Sequence, residues 1–317
     1  MGSTVTALAA IAAVFFTVQQ GKADIGTTQE GQLAERYTAA VTNLGDQSPD
    51  VRLGGIYAMQ RIMKDSPTYQ PAVVDVLSAY VRTHARSSGK ESAGYKGRPE
   101  ADVHSAFEVL TRRLPQHDDK AEVDLREAYL PHIGLRGPAG PDGTTGSPQL
   151  AEANLSGAIL RDANLARADL RKAYLVGTDL EKTDLIRADL SAAQLYNTTL
   201  DHGQLDQAQL REASVVDTSL VNASLQHADL RNADLRGTDL TGANLAGTDL
   251  RGAYLRDQPI RQVNGKPSEW QSKKSTKVTV EQLLAARIDT RTELPPELAK
   301  NPKIRERIAS EKKGITG

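Results

Sequence analysis

Catalysis and metal binding need groups that converge, and the reactive side chains of this chain are scattered. Its six histidines are His84, His104, His117, His132, His202 and His227. None has the close histidine or carboxylate spacing of a metal-binding or catalytic helix. There is no cysteine, hence no thiolate nucleophile, Cys-ligated metal or disulfide frame, and no redox clue to the compartment. Serines and aspartates are plentiful, but they are set out singly, without a neighbouring base or an orienting partner. No glycine-rich phosphate loop occurs. The sequence therefore names no catalytic, cofactor-binding or metal-ligating residue, and the expectation is a protein that is not an enzyme and carries no cofactor. A net charge of −1 over 317 residues leaves no electrostatic footprint for nucleic acid or anionic lipid.

What sets the spacing of those polar residues is a period of five. Leu or Val falls at every fifth position from Leu150 to Leu255, twenty-two times, and only Val215 departs from Leu. Two residues before each, from Ala153 to Ala253, stand fourteen Ala, six Thr and Gly203. A helix would spiral such leucines round every side of the rod, since five residues overshoot a turn by about 140°. A flat strand would send them to alternate faces. A short extended piece followed by a corner satisfies both columns, because residues two apart share a face. The residue between them is usually Asp, Asn, Ser, Gln or Thr, as at Asn154, Asp169 and Asp234, whose side chains bond nearby backbone and support tight turns. Alanine at the first inward position implies a narrow interior, which two bulky columns would overpack.

Units such as Ala163-Asn164-Leu165-Ala166-Arg167 and Ala233-Asp234-Leu235-Arg236-Gly237 resemble the A(D/N)LXX motif of pentapeptide-repeat proteins. The resemblance covers about a third of the chain. It implies a mainly β fold, a right-handed quadrilateral parallel β-helix with four pentapeptides per coil and roughly five coils, spaced about 4.8 Å apart. The units Val123-Asp124-Leu125, Ala128-Tyr129-Leu130 and Ile133-Gly134-Leu135 fit the same pattern and read as a first coil, so the β-helix spans 121–256 with a Gly/Pro-rich loop insertion at 136–148.

With four units per coil, residues twenty apart stack. One face then displays Tyr174, Val176, Tyr196, Val216 and Tyr254 outward, a candidate interaction face, since partner sites favour tyrosine. The alternative is that the chain's own helices cover it. Another face sets Asp169, Asp189, Asp229 and Asp249 beside Arg171, Arg211, Arg231 and Arg251. Stacked opposite charges read as a solvated, self-neutralising ladder, because exposed ion pairs contribute little each.

Outside the repeat, residues 1–22 hold an apolar run from Val5 to Val18 with no Lys or Arg before Lys22. This reads as a membrane anchor with the bulk of the chain cytoplasmic, although fourteen helical residues reach only about 21 Å. An α-helical region follows over 28–115. Its apolar positions recur at three and four residues, and Ser48-Pro49-Asp50 is a start signal with serine as cap. Gln29-Glu30-Gly31-Gln32 and Val51-Arg52-Leu53-Gly54-Gly55-Ile56-Tyr57 resemble the helical region of actinobacterial membrane-anchored pentapeptide-repeat proteins. Beyond Leu255 the spacing ends, and 257–317 reads as a C-terminal cap with short helices, since an open last coil exposes backbone and leucine alike.

Together these features point to a non-enzymatic, membrane-tethered scaffold or protein-interaction module that recruits a protein partner. A homodimer is compatible with this reading. The alternative is a DNA mimic acting on a type II topoisomerase, as the resemblance to gyrase-protecting pentapeptide-repeat proteins implies. From Gln149 to Arg256 there are fifteen acidic and eleven basic residues, too weak an excess to imitate a duplex with one negative charge per ~1.7 Å.

Overall fold

The computed structural model describes residues 28–86, 98–134, 147–256, 262–263, 266–267 and 275–314. It divides into two compact units, one ending at Tyr129 and the other beginning at Leu130. The apolar segment 1–22, most of the linker after Arg86 and most of the 136–148 loop lie outside the described residues.

The first unit is helical: α1 (Thr28–Leu44), α2 (Pro49–Asp65), α3 (Gln70–His84) and α4 (Ala101–Thr111). Proline at the first turn starts α2, where its missing N–H is no loss. Ser48 occupies the cap position, but its hydroxyl makes no cap hydrogen bond. Its amide instead donates to the Asp46 carboxylate at 2.7 Å. Ile56, Met59, Val73, Val74, Leu77, Val103 and Phe107 form the core. Gly55 lets α1 and α2 close on each other, because a Cβ there would come within 2.9 Å of the Ala40 carbonyl oxygen.

The second unit is a β-helix solenoid. Parallel bridges join each residue between the two inward columns to its counterpart twenty residues on, as in Asn154 to Tyr174 to Gln194. Each coil therefore holds four pentapeptides, and bridges run in four ladders up the solenoid. The hydrogen bonds alternate: the Leu165 amide donates to Asp184 O at 2.8 Å, and the Asp184 amide donates back to Ala163 O at 2.9 Å. Corners close by bonds three residues long, such as the Ala153 amide to Leu150 O at 3.1 Å. At each corner the second residue after Leu takes positive φ, without exception from Glu152 to Gly252. That conformation strains ordinary side chains, so its repetition in Lys, Arg and Gln shows how strongly neighbouring coils hold it.

Both inward columns are buried, including Leu180, Leu200 and Leu220 at 1 % exposure or less. On one side the small position is threonine in four successive coils. Thr178, Thr198, Thr218 and Thr238 donate their hydroxyls to the carbonyls of Leu155, Leu175, Leu195 and Val215 in the coil before. The buried oxygen is thereby satisfied, which a core this narrow requires. At the start of the unit, the amides of Leu130 and His132 donate to Ile159 O and Arg161 O, so 130–134 stacks on 159–164.

The ladders do not stop at Leu255. Lys277 bridges Asp239, Arg287 bridges Asp249, and Glu293 bridges Tyr254. The segments Thr276-Lys277-Val278, Ala286-Arg287-Ile288 and Thr292-Glu293-Leu294 thus supply three sides of a further coil without keeping the five-residue spacing. Thr276 and Thr292 repeat the threonine bond, donating to Leu235 O and Leu250 O. On the remaining side stands α5 (Val280–Ala285), after a short hairpin of β1 (Gln262–Val263) and β2 (Lys266–Pro267). There the Gln282 side chain donates from Nε2 to Leu240 O and Ala243 O, in place of a strand. The one-turn α6 (Pro296–Ala299) and α7 (Pro302–Gly314) complete the chain. Leu283 of α5 and Ile304 of α7 are fully buried.

Candidate interaction face

The face nominated from the sequence consists of two columns. Tyr174 and Tyr254 lie in the bridge ladder that runs Asn154, Tyr174, Gln194, Ser214, Asp234, Tyr254 and Glu293. Val176, Tyr196 and Val216 lie in the adjoining corner column, whose carbonyls accept from the amides of Gly157, Gly177 and Asn197. Tyr174 is 41 % exposed, and Val176, Tyr196 and Tyr254 are half-buried. Val216 is only 1 % exposed. It sits in its column between Tyr196 and Arg236, and the Arg236 side chain is itself drawn in by its bond to Asp234. Val216 therefore does not contribute to an outward surface.

The strip is also broken along its length. Tyr174 and Tyr254 are four coils apart, about 19 Å at parallel-strand spacing, with Gln194, Ser214 and Asp234 between them. What survives as a contiguous patch is Tyr174, Val176 and Tyr196. The Tyr196 hydroxyl is held by Asp217; partial burial and that neighbouring carboxylate push its pKa up.

The charged face is a set of closed pairs. Arg171 grips Asp169 through two nitrogens, at 2.8 and 2.6 Å. Arg231 and Arg251 do the same to Asp229 and Asp249, and Arg211 reaches one coil on to Asp229. The same carboxylates accept the amide two residues on, as Asp169 does from Arg171 at 3.3 Å. Burial alone would raise the pKa of Asp169, Asp229 and Asp249, but the arginine and amide bonds outweigh it and hold all three below the ordinary carboxylate range. These groups build the corners and neutralise one another.

Two buried polar clusters in the helical unit have no counterpart in the sequence-level reading. Arg52 Nε donates to Asp102 at 2.6 Å and to the Tyr80 hydroxyl at 3.0 Å, and Tyr80 donates to the same Asp102 oxygen at 2.7 Å. Arg113 grips Asp118, which also accepts from Gln70 at 2.7 Å. The trace of the first in the sequence is Arg52 and Asp102, charged residues on otherwise apolar helix faces, while Arg113 and Asp118 lie outside the helices. Their partners lie up to fifty residues apart, so spacing alone could not pair them. Both clusters are closed by internal bonds. Among the described residues no group of His, Asp and Glu could hold a metal ion.

The family model for pentapeptide repeats matches residues 149–187, 188–225 and 218–257. No curated protein matches the sequence. Among solved structures, a pentapeptide repeat protein from the Arabidopsis thaliana thylakoid lumen is 26 % identical, over 47 % of this chain and 94 % of that one, with a TM-score of 0.27. HetL, a pentapeptide repeat protein involved in heterocyst differentiation regulation in Nostoc sp. strain PCC 7120, is 27 % identical over 53 % and 82 %, TM-score 0.22. QnrB1, a plasmid-mediated fluoroquinolone resistance protein, is 18 % identical over 51 % and 80 %, TM-score 0.22. Residues 149–257 are thus an array of pentapeptide repeats, and over that span the chain is similar to pentapeptide-repeat proteins.

Proposed function

We propose that the chain is a non-enzymatic scaffold whose right-handed pentapeptide solenoid presents a protein-binding patch of Tyr174, Val176 and Tyr196, and that residues 1–22 tether it to a membrane with its bulk in the cytoplasm. The observation that carries the binding reading is Tyr174, a large aromatic side chain 41 % exposed on a solenoid whose exposed arginines and aspartates are mostly spent on each other. Exposed aromatic groups beside a polar surface suit a partner interface. A Tyr174→Ser/Tyr196→Ser variant is expected to lose recruitment of the partner protein with its melting temperature unchanged, while Tyr254→Ser recruits normally. A double variant that recruits like wild type would remove the patch from consideration.

The tether rests on the uncharged composition of 1–22 and on the resemblance to membrane-anchored relatives. Among the described residues no helix is long and apolar enough to cross a membrane, and 1–22 lies outside them. The full chain is expected to stay in the pellet after alkaline carbonate washing and to be released when 1–22 is removed. Release of the intact chain would refute the tether. DNA mimicry fits less well, because its carboxylates must face outward unpaired, and Asp169, Asp229, Asp234 and Asp249 are each clasped by the arginine two residues on. A supercoiling assay that finds no effect on a type II topoisomerase separates the two readings.

A further inference from the structure

About half of the corners of the solenoid are closed from within their own pentapeptide. An Asp or Asn side chain on the bridge ladder accepts the amide two residues on: Asn154 from Ser156, Asp184 from Ile186, Asp189 from Ser191, Asp239 from Thr241, Asn244 from Ala246. From Gln194 to Ser224 seven successive bridge residues are neither Asp nor Asn, and at the last two corners of that run the bridge residues are Ser219 and Ser224, whose hydroxyls are weaker caps than a carboxylate. There the preceding coil supplies the cap. Asp201 Oδ1 accepts from the Val221 amide at 3.0 Å and from the Ser219 hydroxyl. Asp206 Oδ1 accepts from the Gln226 amide at 2.9 Å and from the Ser224 hydroxyl. Each aspartate lies directly beneath the amide it caps, twenty residues earlier in the same corner column.

We propose that Asp201 and Asp206 are inter-coil clamps, which exchange the usual cap within a pentapeptide for one that ties the coil at 201–206 to the coil at 219–226 and so fixes their register. Most other ties between successive coils are backbone ladders or inward threonine bonds; the outward pairs Arg161–Asp179, Lys172–Glu152, Arg187–Gln207 and Arg211–Asp229 also cross coils, but none of these four caps a backbone amide. A repeat array unfolds by parting between units that are weakly coupled. Placing charged caps across this junction couples two coils that serines at both bridge positions would otherwise leave short of acceptors. The serine hydroxyls donate to the same carboxylate oxygen as the amide, so the aspartate organises both groups of the next coil.

The test is hydrogen exchange at single-amide resolution on the full chain. Asp201→Ala is expected to speed exchange of the Val221 amide roughly tenfold, as loss of a charge-assisted bond allows, with little change at Gln226. Asp206→Ala should show the reverse pattern. Asp201→Asn, which keeps an acceptor oxygen in place, should retain most of the protection. Adding Ser219→Asp to Asp201→Ala restores the cap within the pentapeptide and should return Val221 to slow exchange. Unchanged Val221 exchange in Asp201→Ala overturns the clamp. So does failure of Ser219→Asp to rescue, or an Asn variant that behaves like Ala.

Discussion

Leu200→Asp is expected to abolish the cooperative circular-dichroism melt of the solenoid, and Leu200→Ala to weaken it by ~2–5 kcal/mol. Leu200 is fully buried, with Leu180 and Leu220 equally buried in its column, and its backbone is pinned on both sides. Its amide donates to Ser219 O, and its carbonyl accepts from the Gly203 amide at the next corner. A globular core can slump into a void, but ladders in four directions hold these coils at fixed spacing, so a cavity at Leu200 persists. Aspartate is worse, since a lone carboxylate would enter an interior lined by Leu, Ala and satisfied threonine hydroxyls, with no free donor to receive it. An unchanged melt for Leu200→Asp would mean that the column does not face inward.

That expectation follows from the five-residue spacing alone, and its basis shows which parts of the molecule were legible. Each coil repeats one local solution, so the solenoid could be traced from Leu150 to Leu255 residue by residue. The role of Asp and Asn between the columns was legible for the same reason: an acceptor two residues from its donor is a local matter. The last coil was not. Its three strand segments sit at irregular spacing, with α5 between two of them, so the period that identifies the others is absent. A signal for it does exist. Gly237, Gly242, Gly247 and Gly252 occupy all four positive-φ corners of the coil below, where earlier coils mostly carry side chains. The Gly252 amide takes Asp289 as its acceptor and the Gly237 amide takes Thr276, in place of backbone carbonyls. A Cβ at Gly247 would fall 2.5 Å from the His227 ring.

Of the residues nominated as an outward face, Val216 is buried. Periodicity placed Val216 beside Tyr196 correctly. Whether a corner side chain is exposed depends on what stands above it, and Arg236 folding in toward Asp234 is a matter of rotamer and ion pairing that spacing does not encode. The same limit hid the helical unit's polar clusters, since Arg52, Tyr80 and Asp102 meet only after three helices have packed.

Removing Arg52 from that cluster is expected to be among the costliest changes in the helical unit. Asp102 is 1 % exposed. Burial by itself would raise its pKa, but the bonds from Tyr80, Arg52 and the Val103 amide more than compensate and hold it below the ordinary carboxylate range. Tyr80 is pushed up, by burial first and then by its bond to that carboxylate. Arg52→Ala leaves Asp102 charged, buried and short of its strongest partner, a change that costs ~3–5 kcal/mol when one member of a buried pair is lost. It also frees the Asp46 and Gln47 carbonyls, which Arg52 holds at 3.2 and 3.0 Å to fasten the turn before α2. The pH dependence distinguishes this origin from simple loss of packing. A carboxylate with a depressed folded pKa stabilises the fold above its unfolded pKa, and that contribution disappears as pH falls through the folded value. The gap in stability between wild type and Arg52→Ala should therefore be full at neutral pH and shrink on acidification below the carboxylate range, where a protonated Asp102 no longer needs the guanidinium. Arg52→Ala/Asp102→Ala should recover part of the loss, because no buried charge is left unpaired. A gap that stays constant down to acid pH, with no recovery in the double variant, would show that Arg52 matters for its packed volume rather than for its charge.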